Sequence, residues 1–324
     1  METSESDSSR AATFPVATAF DDADVETRRV LSFVLFAFGI SWAVGAVVYA
    51  TGGIGSESPD VLPGIPLWYV LVATGYMFAP ALANVLTRLL TGEGRENLRL
   101  RPHVRRNWRW WVVAWLVPIV LLYLGAALFF VLFPEFFDPT LSALTDGLAG
   151  TASGADDALP LGPQGLVLLT AASTLTLGTA INCLATFGEE FGWRAYLQPK
   201  LMPLGTRRAI VLVGVIWGVW HWPIILMGYN YPDAPVLGAL AMVFVTVVFG
   251  TFLGWVTVRG ESVWPAVIGH AAINANAGIG VLFVQGNPSS LLGPAPTGVM
   301  GLLPLAVLAL WLLVRPGALA PSGS

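Results

Sequence analysis

The sequence predicts an all-α membrane protein, a polytopic helical bundle with about eight transmembrane helices. Of its 324 residues, 55% are hydrophobic and only 11% are charged, whereas about a quarter of the residues in a soluble domain carry charge. The mean hydropathy is +0.71. A chain this apolar has too few polar residues to cover a surface in water, so its composition alone indicates a lipid-embedded protein.

Eight apolar stretches are long enough to cross a membrane as helices. A hydrocarbon core is about 30 Å thick, and a helix needs roughly 17–25 residues to cross it. The segments between the stretches are rich in Gly and Pro, which is typical of turns and loops. The predicted spans are approximately 28–51, 66–91, 108–133, 163–188, 208–228, 235–258, 262–285 and 297–315.

The distribution of basic residues predicts the orientation of these spans. Lys and Arg collect in cytoplasmic loops. If the amino terminus is inside, all sixteen basic residues fall in inner segments, and the charged residues of the outer segments are all acidic. We therefore predict a multi-pass protein of the plasma membrane with both termini in the cytoplasm.

The two ends of the chain differ from its apolar centre. Residues 1–27 contain seven acidic residues and one arginine among many Ser, Thr and Ala, a composition typical of disorder. The predicted organisation is therefore a disordered acidic tail over 1–27, a transmembrane domain over 28–315 and a short tail over 316–324.

Charged residues at the inner end of the fourth span are the first sign of a functional site. The stretch FGEEFGWR occupies residues 187–194, and a carboxylate at membrane depth costs roughly 2.5–3.5 kcal/mol unless a partner compensates it. On a helix Glu190 and Arg194 share a face and can form an ion pair. Glu189 points about 100° away from that pair and lacks a local partner.

Two later spans carry histidines at a comparable depth. WGVWH ends at His221, and HAAIN runs from His270 to Asn274, two residues that share one helix face. Counting residues along each span places these polar groups in the inner half of the bilayer. We therefore predict that three helices converge on one active site near the cytoplasmic side of the membrane.

Two carboxylates, two imidazoles and an amide in a dry site suit the activation of water at an acyl centre. A glutamate assisted by a histidine can take a proton from water, while a second histidine and an asparagine stabilise the oxyanion. The alternative is a zinc site, because zinc accepts His and carboxylate ligands and a catalytic site needs about three. Its ligands would be Glu189, His221 and His270.

The ligand environment favours catalysis without an obligatory metal. The sequence has no HExxH motif, and a ligating histidine normally donates its other ring N–H to a carboxylate or carbonyl. Glu190 is the only other acid at this depth, and Arg194 is expected to occupy it. The histidines would then depend on backbone carbonyls for the partner that zinc ligands normally have, which leaves the zinc site possible but less well supported.

The three motifs, in this order and on separate spans, resemble those of the CPBP family of intramembrane proteases, which includes the type II CAAX prenyl endopeptidases. The resemblance covers about 163–285, the predicted protease core. Trp217 stands where the family more often has phenylalanine. The family pattern is a double glutamate with an arginine, an aromatic residue before a histidine, and a histidine before an asparagine, and it is matched by Glu189, Glu190, Arg194, Trp217, His221, His270 and Asn274.

The resemblance implies an endopeptidase that cleaves a membrane-embedded or membrane-anchored protein or peptide, including lipid-modified ones. It implies that Glu189 and His221 activate water and that His270 and Asn274 hold the oxyanion. The remaining motif residues would support the site. The family is commonly labelled metalloprotease, so zinc stays the alternative cofactor.

Two other functions stay open at this stage. Glu and His within spans also form proton relays in transporters, although the chain has no matching halves of the kind that many carriers show. A catalytically silent immunity or scaffold protein of the same family would retain the same residues. No basic and aromatic surface of the nucleic-acid-binding kind is present.

Overall fold

The computed structural model describes residues 25–142 and 162–320. Most of the predicted acidic tail and most of the loop 134–162 lie outside the described residues. A short antiparallel hairpin, β1 (Asp60–Leu62) and β2 (Ile65–Pro66), connects the first two helices. The helices are α1 (Thr27–Ala50), α2 (Leu67–Thr91), α3 (Val104–Leu132), α4 (Gly162–Leu204), α5 (Thr206–Trp220), α6 (Trp222–Leu226), α7 (Pro235–Gly260), α8 (Trp264–Phe283) and α9 (Val299–Val314).

The predicted all-α polytopic architecture is confirmed. Within the described ranges, six helices are long and apolar enough to cross a membrane: α1, α2, α3, α4, α7 and α8. The fifth and eighth predicted spans form shorter helices, α5 with 15 residues and α9 with 16. The fifth is interrupted at His221, because Pro223 lacks the N–H that would continue the helical hydrogen bonds.

The long helices are not regular throughout. α4 contains two π-helical turns, Thr174–Gly178 and Trp193–Leu197, on either side of the α-helical segment Thr179–Gly192. α2 contains a third, Val72–Tyr76. Such turns often occur at functional sites, and here two of them bracket the segment that carries Glu189.

Glycine allows two central helices to pack closely. Gly214 and Gly218 of α5 lie against the backbone of α7, where a methyl group on either glycine would come within 3 Å of the Cα atom of Val247 or Val243. Small residues one turn apart are a common device for packing helices in membranes. This contact fixes α5, and the tryptophan and histidine near its end, against the core of the bundle.

The segments predicted to be inner meet at one end of the bundle, which we call the basic face. Hydrogen bonds and ion pairs join them there. The predicted outer segments are joined at the opposite end, for example by Tyr231 donating to the Thr297 carbonyl at 2.7 Å. The contacts of the basic face include Lys200–Glu26 at 2.6 Å, Arg106–Glu261 at 2.7 Å, Arg207 to the Arg315 carbonyl at 3.0 Å and Arg259 to the Ala318 carbonyl at 3.0 Å.

Candidate active site

Three helices bring the motif residues to one cavity of about 660 Å³. Glu189 comes from α4, Trp217 from α5 and His221 from the turn that follows it, and His270 and Asn274 come from α8. The structure therefore brings these helices together around one cavity, as the depth of the motif residues along each helix indicated. Glu190 and Arg194 do not line the cavity and lie fully buried behind its wall.

Glu189 stands in the cavity wall with its side chain fixed by a single strong contact. The residue is only 2% exposed, and its Oε2 accepts a hydrogen bond from the indole N–H of Trp217 at 2.6 Å. The contact orients Glu189 and leaves its second oxygen, Oε1, for another partner.

Glu190 connects two helices through one oxygen atom. Its Oε1 accepts from Arg194 at 2.9 Å and lies 2.8 Å from Nδ1 of His270. The predicted ion pair is present, but the expectation that Arg194 alone occupies Glu190 is wrong. A carboxylate oxygen has two lone pairs and can serve both donors.

The contacts of the histidines assign their protons. His221 Nδ1 lies 2.8 Å from the Trp217 carbonyl, which can only accept, so Nδ1 carries a hydrogen. In the neutral ring Nε2 then presents a lone pair. His270 Nδ1 faces the Glu190 carboxylate and is likewise the donor. His270 can donate from Nε2 only if it holds a second proton.

Trp217 contacts most of the other motif residues. Its ring lies beneath the Arg194 guanidinium, with 4.4 Å between Cζ and the ring centroid, a cation–π geometry. It also meets the His270 ring edge to face at 5.2 Å. The sequence identified Trp217 as a supporting residue, and its hydrogen bond to Glu189 shows how it supports the site.

Asn274 lies on the same cavity one helical turn after His270 and is exposed. Asn182, which the sequence analysis missed, also lines the cavity. It precedes Glu189 by seven residues, or two helical turns, so the shared face of α4 was a signal that could have identified it.

The zinc alternative finds limited geometric support among the described residues. No three His, Cys, Asp or Glu side chains within 25–142 and 162–320 are grouped so that they could hold a metal ion. Glu189, His221 and His270 share the cavity without forming such a group. Both histidines do have the second partner that a zinc ligand needs, His270 in the Glu190 carboxylate and His221 in the Trp217 carbonyl. The expectation that such partners are poorly supported is therefore wrong, and zinc stays an alternative for elemental analysis.

Comparison with known proteins agrees with the motifs. Residues 170–276, which contain all three, match the Rce1-like family of type II CAAX prenyl endopeptidases. CAAX prenyl protease 2 of Methanococcus maripaludis is 30% identical over 98 residues, which cover 28% of this chain and 36% of that protein. The chain thus spans about a third of the length of the curated relative it matches. The resemblance found in the sequence is confirmed: residues 170–276 of this multi-pass membrane protein are similar to the Rce1-like type II CAAX prenyl endopeptidases.

Proposed function

We propose that this protein is an intramembrane endopeptidase that hydrolyses a peptide bond of a membrane-associated protein or peptide with water activated by Glu189. The observation that supports this best is the position of Glu189, held by Trp217 in a cavity that also contains both motif histidines. A buried carboxylate and an imidazole with a free nitrogen are suitable proton acceptors for a water molecule between them.

The first step of the proposed reaction forms the bond from water to the peptide carbonyl carbon. Glu189 Oε1 takes one water proton, and the lone pair on His221 Nε2 accepts a hydrogen bond from the other hydrogen. Both assignments follow from the contacts that already occupy Glu189 Oε2 and His221 Nδ1. The water oxygen then becomes part of a tetrahedral intermediate with a negative oxygen.

The second step needs donors for that oxygen and a proton for the leaving amine. Asn274 and His270 Nε2 are the proposed donors, each aimed at charge that exists only after attack. Since Nδ1 of His270 is used by Glu190, this role requires His270 to be an imidazolium. Glu189 then returns its proton to the amine as the C–N bond breaks.

The setting that we propose is the plasma membrane, with both termini in the cytoplasm and the lipid bilayer around residues 28–315. The protease core would be 163–285, and residues 1–27 and 316–324 would be tails. The support is the single basic face, because basic loops stay in the cytoplasm. The substrate would be embedded in the membrane or anchored to it.

The experiment that tests the function is cleavage of a library of membrane peptides by the purified protein, read by mass spectrometry. Glu189→Gln is the control. We expect the wild-type protein to produce defined fragments and the variant to produce none. Solute uptake into vesicles without any cleavage would instead support the proton-coupled transporter, and neither activity would support the silent immunity or scaffold protein.

A further inference from the structure

The cavity has a closed end and an open end. Glu189, Trp217 and His270 are buried in its wall, whereas Tyr69 at 57% exposure and Val281 at 47% line its other end. Those two residues come from the first turn of α2 and the last turn of α8. Both turns adjoin the predicted outer loops, so the cavity opens away from the basic face.

Close helix packing fills the space between Glu189 and the basic face. Gly188 and Gly192 of α4 press against α2, where a methyl group on Gly188 would lie 2.7 Å from the Met77 carbonyl oxygen and one on Gly192 2.6 Å from that of Pro80. Asn84 adds a hydrogen bond to the Phe191 carbonyl at 2.8 Å. The backbones of the two helices therefore touch just below the proposed base.

A network of paired charges continues this barrier toward the basic face. Lys200 contacts Glu26 at 2.6 Å and Glu93 at 2.8 Å, and Tyr196 donates to Glu93 at 3.0 Å. Arg88 lies 3.4 Å from the same carboxylate. A peptide arriving from the basic face would have to break these contacts before it reached Glu189.

The lining of the cavity indicates which peptide fits it. Among the described lining residues Glu189 is the only acid and no Lys or Arg is present. Aromatic side chains such as Trp68, Tyr69, Tyr229 and Phe249 form much of the wall. Apart from His270, which the proposed mechanism assigns to the oxyanion, an acidic side chain or a free carboxyl terminus would find no cationic partner there, and its burial would be costly.

The geometry points to a substrate that enters from the face opposite the basic residues, as an uncharged, apolar stretch within a longer peptide. Under the positive-inside rule this is the outer face of the membrane. The inference rests on the endopeptidase function proposed above and defines the side and the chemistry of its substrate. The predicted position of Glu189 near the cytoplasmic side can hold at the same time, because the cavity reaches Glu189 from the other side.

Blocking each face with a thiol reagent tests the route in detergent, where both faces are accessible. Single cysteines replace Tyr69 and Val281 at the open end, and the matched control is the exposed Arg95 on the basic face, all in a Cys183→Ala background. The rate of each labelled variant is compared with the rate of the same variant before labelling. We expect a bulky maleimide at Tyr69→Cys or Val281→Cys to abolish cleavage and one at Arg95→Cys to leave it unchanged. If labelling at Arg95→Cys abolished cleavage while labelling at Tyr69→Cys and Val281→Cys left it intact, the proposed entry from the open end would be overturned.

Sealed vesicles test from which face of the membrane the substrate enters and whether the substrate must be uncharged. Impermeant labelling of Asp60→Cys and Arg105→Cys reports the orientation of the protein in each preparation. We expect an apolar peptide added on the Asp60 side to be cleaved, and the same peptide with flanking aspartates to be cleaved more slowly. Cleavage only from the Arg105 side would contradict the inference and leave the endopeptidase standing. Absence of cleavage in detergent by the unlabelled protein would instead contradict the proposed function itself.

Discussion

The indole N–H of Trp217 donates to the carboxylate of Glu189 at 2.6 Å, while the same ring lies 4.4 Å from the guanidinium carbon of Arg194. One side chain thus connects the proposed base to the buried ion pair behind it. Phenylalanine could provide the ring beneath Arg194 but could not donate to Glu189. The tryptophan therefore has a positioning role that an aromatic ring alone does not supply.

Trp217→Phe should lower the cleavage rate while the protein remains folded. A hydrogen bond to a charged group contributes roughly 1.5–3 kcal/mol, and loss of that much transition-state stabilisation lowers the rate roughly 10–150-fold. We expect kcat to fall more than KM changes, because the contact is to the base and not to the peptide.

The matched control for that variant is Trp193→Phe. Trp193 is fully buried in the same region, and its indole nitrogen has no hydrogen-bond partner within the described structure. Replacement of Trp193 should remove packing contacts without removing a hydrogen bond. Equal rates for the two variants would show that the N–H of Trp217 has no catalytic importance.

Glu190 should matter more for stability than Glu189. Its carboxylate pairs with Arg194 at 2.9 Å, and both side chains are fully buried. Breaking such a pair by removing one partner costs about 3–5 kcal/mol. Glu190→Gln and Arg194→Met should each lower Tm strongly, and the double variant should lose less than the sum of the two. Strictly additive losses would show that the two residues are not coupled.

Replacement of Asn274 should lower the cleavage activity less than replacement of His221. Removal of one oxyanion donor typically lowers turnover about 10²–10³-fold, so Asn274→Ala should keep measurable activity with KM little changed. His221→Ala should be more damaging because it disturbs the attacking water. Equal and complete loss at His221, His270 and Asn274, together with stoichiometric zinc by elemental analysis, would indicate a metal site instead.

Glu93 on the basic face should make stability depend on acidic pH. Burial alone would raise its pKa, but Lys200 and Arg88 hold the pKa of this carboxyl below its ordinary 4.5. A lowered folded-state pKa stabilises the protein above the ordinary value, and the contribution is lost as the pH falls through the folded pKa. Glu93→Gln should therefore lower Tm at neutral pH, by a margin that shrinks below pH about 4.5.

The control for this measurement is Glu96→Gln on the same loop, where the side chain is exposed. Its Tm should follow that of the wild-type protein at every pH. If Glu93→Gln follows the wild-type protein as well, the network of Lys200, Arg88 and Glu93 does not stabilise the basic face.

Contacts within one helix could be predicted from the sequence, and contacts between helices could not. The four-residue spacing of Glu190 and Arg194 predicts their ion pair because helical geometry sets that distance. The contact of Glu190 with His270 joins residues 80 positions apart and depends on how α4 and α8 pack. Hydrophobic periodicity contains no information on that packing.

Two other features were recognised only in the structure. The break of the fifth span after Trp220 has a sequence signal in Pro223, but the length of the apolar stretch concealed it. The direction of the cavity depends on Gly188 and Gly192 touching α2, a close approach that a glycine allows but does not by itself predict.

Single-turnover cleavage by Glu189→Gln tests the central claim most directly. The amide retains an oxygen that can accept the Trp217 N–H, so Tm should stay near that of the wild-type protein, while the variant can no longer take a proton from water. The account predicts a rate lower by at least about 10²–10⁴-fold, the range that general acid–base catalysis contributes. Cleavage by folded Glu189→Gln at the wild-type rate would contradict it.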